Sequence, residues 1–186
     1  MTKQGDADGD TLQSFVERLN KSHYDMINAM CNTAKHQIQT LQAQEAQQIP
    51  SQYVTFSDKL VGEVLNYISV KKEHLIPYVQ SLFEKESDGH DCSNCTGTGS
   101  CSMQHETRLM EIRQSHRHLT DIISRMQMVM LPLYSGTVHL GLYKTLQNQM
   151  ALLENSLAAL LLFEETHLIP KITEAQTNIN ARGRGI

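Results

Sequence analysis

Apolar residues recur at helical spacing over four long stretches of this chain. From about Leu12 to Ala46 the stripe is Leu12, Phe15, Leu19, Met26, Met30, Ile38 and Leu41, and Ile49-Pro50-Ser51 ends it. A second stretch, about Phe56 to Lys85, turns Leu60, Val64, Ile68, Leu75, Val79 and Leu82 to one side. A third, about Met103 to Leu131, carries Leu109, Ile112, Leu119, Ile123, Met126 and Met130. The fourth runs from Leu142 to about Asn178. Four long helices with modest connections predict an all-α, antiparallel up-down four-helix bundle over residues 10–180. Flexible tails are expected at 1–9 and 181–186, and a cysteine-rich loop at 87–102 between helices two and three. Pro77 and Pro170 fall inside helical patterns and predict kinks, because each removes a donor and crowds the preceding turn.

The pattern repeats with an offset of 93 residues. Ser22-His23 recurs as Ser115-His116, and His74-Leu75-Ile76-Pro77 as His167-Leu168-Ile169-Pro170. A repeat of this length predicts two duplicated helical hairpins, with helix one matching helix three and helix two matching helix four.

Each stripe is broken by one polar residue. His23 follows Leu19, His116 follows Ile112, Lys71 follows Tyr67, and Glu164 follows Leu160. The four form two pairs under the same offset, so each helix is expected to aim one polar group at the same level of the core. Buried without partners, each would cost several kcal/mol, roughly 2–7 for a neutral group and more for a charge. They are therefore expected to meet one another or a metal ion.

At this point the chain resembles the hemerythrin-like, or HHE cation-binding, family of four-helix bundles that hold two irons between their helices. The motif of that family has a His on helices one and three. On helices two and four it has His-x-x-x-Glu, followed by an apolar pair and Pro. Glu164-Glu165-Thr166-His167-Leu168-Ile169-Pro170 looks like that ending, and Lys71-Lys72-Glu73-His74-Leu75-Ile76-Pro77 like a degenerate copy. Carried over, the resemblance keeps His23, His116 and Glu164 as ligands, while Tyr67, Leu160 and Lys71 stand where the motif has two histidines and a carboxylate. Two arrangements follow. A single iron or zinc could lie on His23, His116 and Glu164, with Tyr67 as fourth ligand. Alternatively, Lys71 and Glu164 form a buried ion pair in a metal-free core, flanked by the two histidines.

The segment ahead of helix three carries His90, Cys92, Cys95, Cys101 and His105 within 16 residues. Cys-x-x-Cys spacing lets two thiolates reach one ion, and the interleaved glycines allow the tight turn. The candidate set is Cys92, Cys95, Cys101 and His105, with His90 as a substitute for His105. Zinc is the first expectation, an iron–sulfur cluster the second, and a redox-active Cys92/Cys95 pair the third. Cys92 through Gly99 also resembles one copy of the zinc unit of J-domain chaperones. Cys31, in mid-helix, reads as a small buried apolar residue.

Charge and composition narrow the partners. Net charge is −4, which points away from nucleic acid. The longest apolar stretch, Ala151 to Phe163, is too short to span a bilayer. The N-terminus lacks a signal pattern, and four cysteines in a reducing compartment favour thiols or metal over disulfides, so a cytoplasmic location is expected. The function expected from sequence is non-haem metal binding with redox, oxygen or nitric-oxide sensing, and a diatomic ligand or a protein partner, including a second copy of the chain. The alternatives are a metal-free interaction scaffold and an iron-dependent enzyme acting on oxygen or nitric oxide, or in iron-centre repair.

Overall fold

A computed structural model describes residues 12–44, 52–90, 101–130 and 140–182. Four helices account for nearly all of them, and the described residues contain no strand. The first helix joins Leu12–Leu19 to Asp25–Gln44 through a π turn at Asn20–Tyr24. The second joins Gln52–Val70 to Ile76–Ser87 through a π turn at Lys71–Leu75. The third, Cys101–Met130, is α-helical throughout. The fourth joins Leu140–Phe163 to Ile169–Arg182 through a π turn at Glu164–Leu168. The first helix packs on the second and fourth, and the third also packs on the second and fourth, which closes a four-helix bundle.

The described helices run slightly longer than the apolar stripes predict. The second begins at Gln52 rather than Phe56, the third at Cys101 rather than Met103, and the fourth extends through Arg182. Residues 181–182, expected in the tail, are therefore helical, as are Ser87, Cys101 and Ser102 at the edges of the expected loop. The expected tail at 1–9 lies outside the described residues.

The π turns explain what happens at the prolines. In the second and fourth helices, Ile76 and Ile169 donate their N–H to the carbonyls of Lys71 and Glu164, five residues back. Each proline then stands at the second position of a new α-helical run, where its missing N–H costs little. Each proline's missing donor is thus accommodated by one widened turn.

The same device corrects the first helix. A π turn inserts one residue, so the face that looks inward slips by one position along the sequence. Upstream the buried residues are Phe15, Val16 and Leu19; downstream they are Tyr24, Ile27, Cys31, Ala34, Ile38 and Leu41. Met26, expected inward, is 40% exposed, and Met30 and His23 are half-buried. Elsewhere most of the expected positions are buried: Leu60, Val64, Leu75 and Leu82 in the second helix, Ile112, Leu119 and Met126 in the third, and Leu153, Leu157 and Leu168 in the fourth; in the third, Leu109 and Ile123 are only half-buried and Ile122 is buried instead. Full burial of such side chains contributes about 1.5–3 kcal/mol each.

Candidate functional site

The three π turns bring the polar groups to one level of the core. Lys71 opens the π turn of the second helix and Glu164 that of the fourth, 93 residues later. Tyr24 closes the π turn of the first helix. His116 comes from the third helix, which supplies it without a π turn. The Glu164 carboxylate is fully buried, and all three other helices donate to it. Tyr24 Oη donates to Oε1 at 2.5 Å. Oε2 accepts from Lys71 Nζ at 2.8 Å and from Tyr67 Oη at 3.3 Å, and pairs with His116 Nε2 at 2.6 Å. Lys71 is 4% exposed, and its ammonium also lies 5.2 Å from the centre of the Tyr67 ring.

The electrostatics follow from that geometry. Burial, the largest influence on Glu164, pushes its carboxyl up. The hydrogen bonds from His116, Lys71 and Tyr24, together with the Lys71 charge, outweigh it and hold the carboxyl at about 2. Burial lowers Lys71, and the adjacent carboxylate opposes that shift. Burial raises both Tyr24 and Tyr67 well above the usual phenol value, and the Glu164 charge adds to it. Both phenols therefore stay protonated and act as donors. The result is a carboxylate kept charged in the dry interior by four hydrogen-bonding partners.

Of the expected core residues, the structure brings together Lys71, Glu164, His116 and Tyr67. His23 does not join them. The residue slip at the first π turn leaves it half-buried, its ring tilted 33° against that of Phe163 with centres 4.7 Å apart. Its Nδ1 is buried without a hydrogen-bond partner, and burial lowers its pKa against the pull of Glu164. Tyr24, its neighbour, takes the inward place instead. Sequence reasoning missed Tyr24 because the offset that pairs the other groups aligns it with the exposed Arg117.

The core set does not fit the iron or zinc arrangement expected from His23, His116, Glu164 and Tyr67. A fixed ammonium already occupies the inner face of the one carboxylate, and His23 points its ring at Phe163. Among the described residues no group of three His, Cys, Asp or Glu side chains could hold a metal ion. If His23 serves packing alone, His23→Phe should keep stability within about 1 kcal/mol of the parent, since it also removes an unpaired buried nitrogen. A urea titration reads this, and a loss above about 2 kcal/mol would show a polar role for His23.

The cysteine segment begins at a well-defined helix end. Gly89 has φ 69° and donates to the Glu86 carbonyl, while His90 N–H donates to that of Lys85 at 3.0 Å. This is the Schellman arrangement, for which glycine suits the left-handed position. Cys92 and Cys95 lie outside the described residues. Cys101 is the first residue of the third helix, and His105 follows one turn later. His105 is half-buried, and its Nδ1 is hydrogen-bonded to the Tyr78 hydroxyl of the second helix. Burial lowers its pKa, with Glu106 opposing, so the ring is neutral at physiological pH. Cys31 is buried, and burial pushes its thiol up to about 12, which makes it inert. No described helix is long and apolar enough to cross a membrane. Compared with protein-family models, curated proteins and solved structures, the chain matches none.

Proposed function

We propose that this chain is an antiparallel up-down bundle of hemerythrin-like type, built from two duplicated hairpins, whose metal centre has given way to the Lys71–Glu164 ion pair. Its working site is the cysteine segment, where Cys92, Cys95, Cys101 and His105 hold a zinc or iron ion, with His90 as substitute for His105. Attack on the thiolates by an oxidant or nitric oxide would release the metal and alter a protein contact. Two π turns at matching positions in the second and fourth helices support the duplication. The observation that carries the metal reading is His105. Its Nδ1 is engaged by Tyr78, which fixes the ring and leaves Nε2 as the ligating nitrogen, one turn from Cys101. Metal-binding histidines are commonly oriented through their second nitrogen in this way.

Elemental analysis of protein purified without oxygen tests the reading. About one zinc or iron per chain is expected, and its loss in the triple Cys92/Cys95/Cys101→Ser variant. Metal that survives the triple substitution would return the site to the core. Protein without metal in either form would leave a metal-free bundle that serves as an interaction scaffold, with Lys71–Glu164 as structure alone.

A further inference from the structure

A cavity of about 480 Å³ opens between the second and third helices, beside the buried ion pair. Pockets of about 300–1,000 Å³ are the usual size for small-molecule ligands. Its walls are mainly apolar and include Val70, Leu75, Ile112 and the Tyr78 ring. Tyr67, Lys71, Leu75 and Ile112 are the buried members of the lining, and Arg108 and His118 are more exposed.

Lys71 is the informative member. An ammonium carries three N–H donors, and a buried donor without an acceptor is costly. Among the described residues one acceptor is in reach, Glu164 Oε2. Glu164 does not line the cavity, whereas Lys71 does. Lys71 is therefore the member of the ion pair that borders the cavity, and two of its three N–H bonds have no acceptor among the described residues. Arg108 adds a second positive charge to the lining, against the single carboxylate of Glu111, with which it pairs at 2.6 Å.

We infer that this cavity binds a small organic acid, with the carboxylate at Lys71 and the hydrocarbon body along Val70, Leu75 and Ile112. A carboxylate supplies two acceptor oxygens to the unsatisfied ammonium, and the apolar body matches the walls. A neutral alcohol of equal length would satisfy the walls but offer the ammonium less. The inference stands whether or not the cysteine segment holds a metal, since it uses only the core geometry.

Calorimetric titration with octanoate, and with octan-1-ol as its uncharged counterpart, tests it. Octanoate is expected to bind at a single saturable site, at least tenfold more tightly than octan-1-ol. Lys71→Met should weaken octanoate tenfold or more. Val70→Trp, at a position 44% exposed and so tolerant of a larger side chain, should fill the cavity and abolish binding of both. It keeps the test decisive should Lys71→Met fail to fold. Equal affinity for acid and alcohol, octanoate binding that survives Val70→Trp, or no octanoate binding at all would overturn the inference.

Discussion

Glu164→Gln is expected to destabilise the fold by about 3–5 kcal/mol, the cost of leaving a buried charge without its partner. The substitution keeps the shape of the side chain and removes only its charge. Lys71 would then hold an ammonium at 4% exposure with no counter-charge, and its pKa, already lowered by burial, would lose the opposing pull. Tyr24, Tyr67 and His116 would compete for a weaker acceptor. Tyr24→Phe, which removes one donor and leaves the ion pair intact, should cost only about 1–2 kcal/mol. The double variant Lys71→Met/Glu164→Leu should recover most of the single-variant loss, because paired apolar replacements of buried ions are often neutral or better. Urea unfolding of the set would show this as a large favourable coupling between the two substitutions. Additive losses would mean that the two side chains do not form a buried pair.

The residues of this pair were legible in the sequence because both interrupt apolar stripes whose phase the structure keeps. In the second helix the inward run continues from Tyr67 through Lys71 to Leu75, and in the fourth from Leu160 through Glu164 to Leu168. The helices themselves were legible for the same reason, from 3.6-residue periodicity. The first helix was not, past Leu19. A π turn is defined by an N–H that reaches five residues back, as Asp25 does to Asn20, and nothing in the side-chain pattern announces it in advance. Read with an unbroken period, His23 falls inward; with one residue inserted, Tyr24 does. The run Tyr24, Ile27, Cys31, Ala34, Ile38 fits a helical face as well as Met26, Met30 and Ile38 do, and its small members Cys31 and Ala34 concealed it. Leu-Ile-Pro after a polar turn was the available signal for π turns in the other two helices. Asn20–Tyr24 is followed by no proline.

Stability should fall steeply as acid neutralises Glu164, in a window below the ordinary carboxylate range. The carboxyl is held at about 2 in the folded chain against 4.5 ordinarily. Its contribution is therefore fully present above about pH 4.5 and is lost as pH falls from there toward about 2. At about 1.4 kcal/mol per pH unit the loss comes to roughly 3 kcal/mol, and full burial leaves little solvent screening to reduce it. The groups facing the carboxylate sharpen the assignment. Tyr24 and Tyr67 remain protonated throughout, since burial raises both, so neither titrates in this window. His23 and His105 act earlier: burial lowers each below 6.5, so acid favours the unfolded chain, where they protonate more readily, and stability slopes downward as pH falls through that value. Urea midpoints measured from neutral pH down to about 2 should thus show two steps. His23→Phe should shrink the upper step to the share of His105, and Glu164→Gln should remove the lower one. A lower step that persists in Glu164→Gln would assign the acid sensitivity to other carboxylates, and would mean that the buried network does not hold Glu164 as an anion.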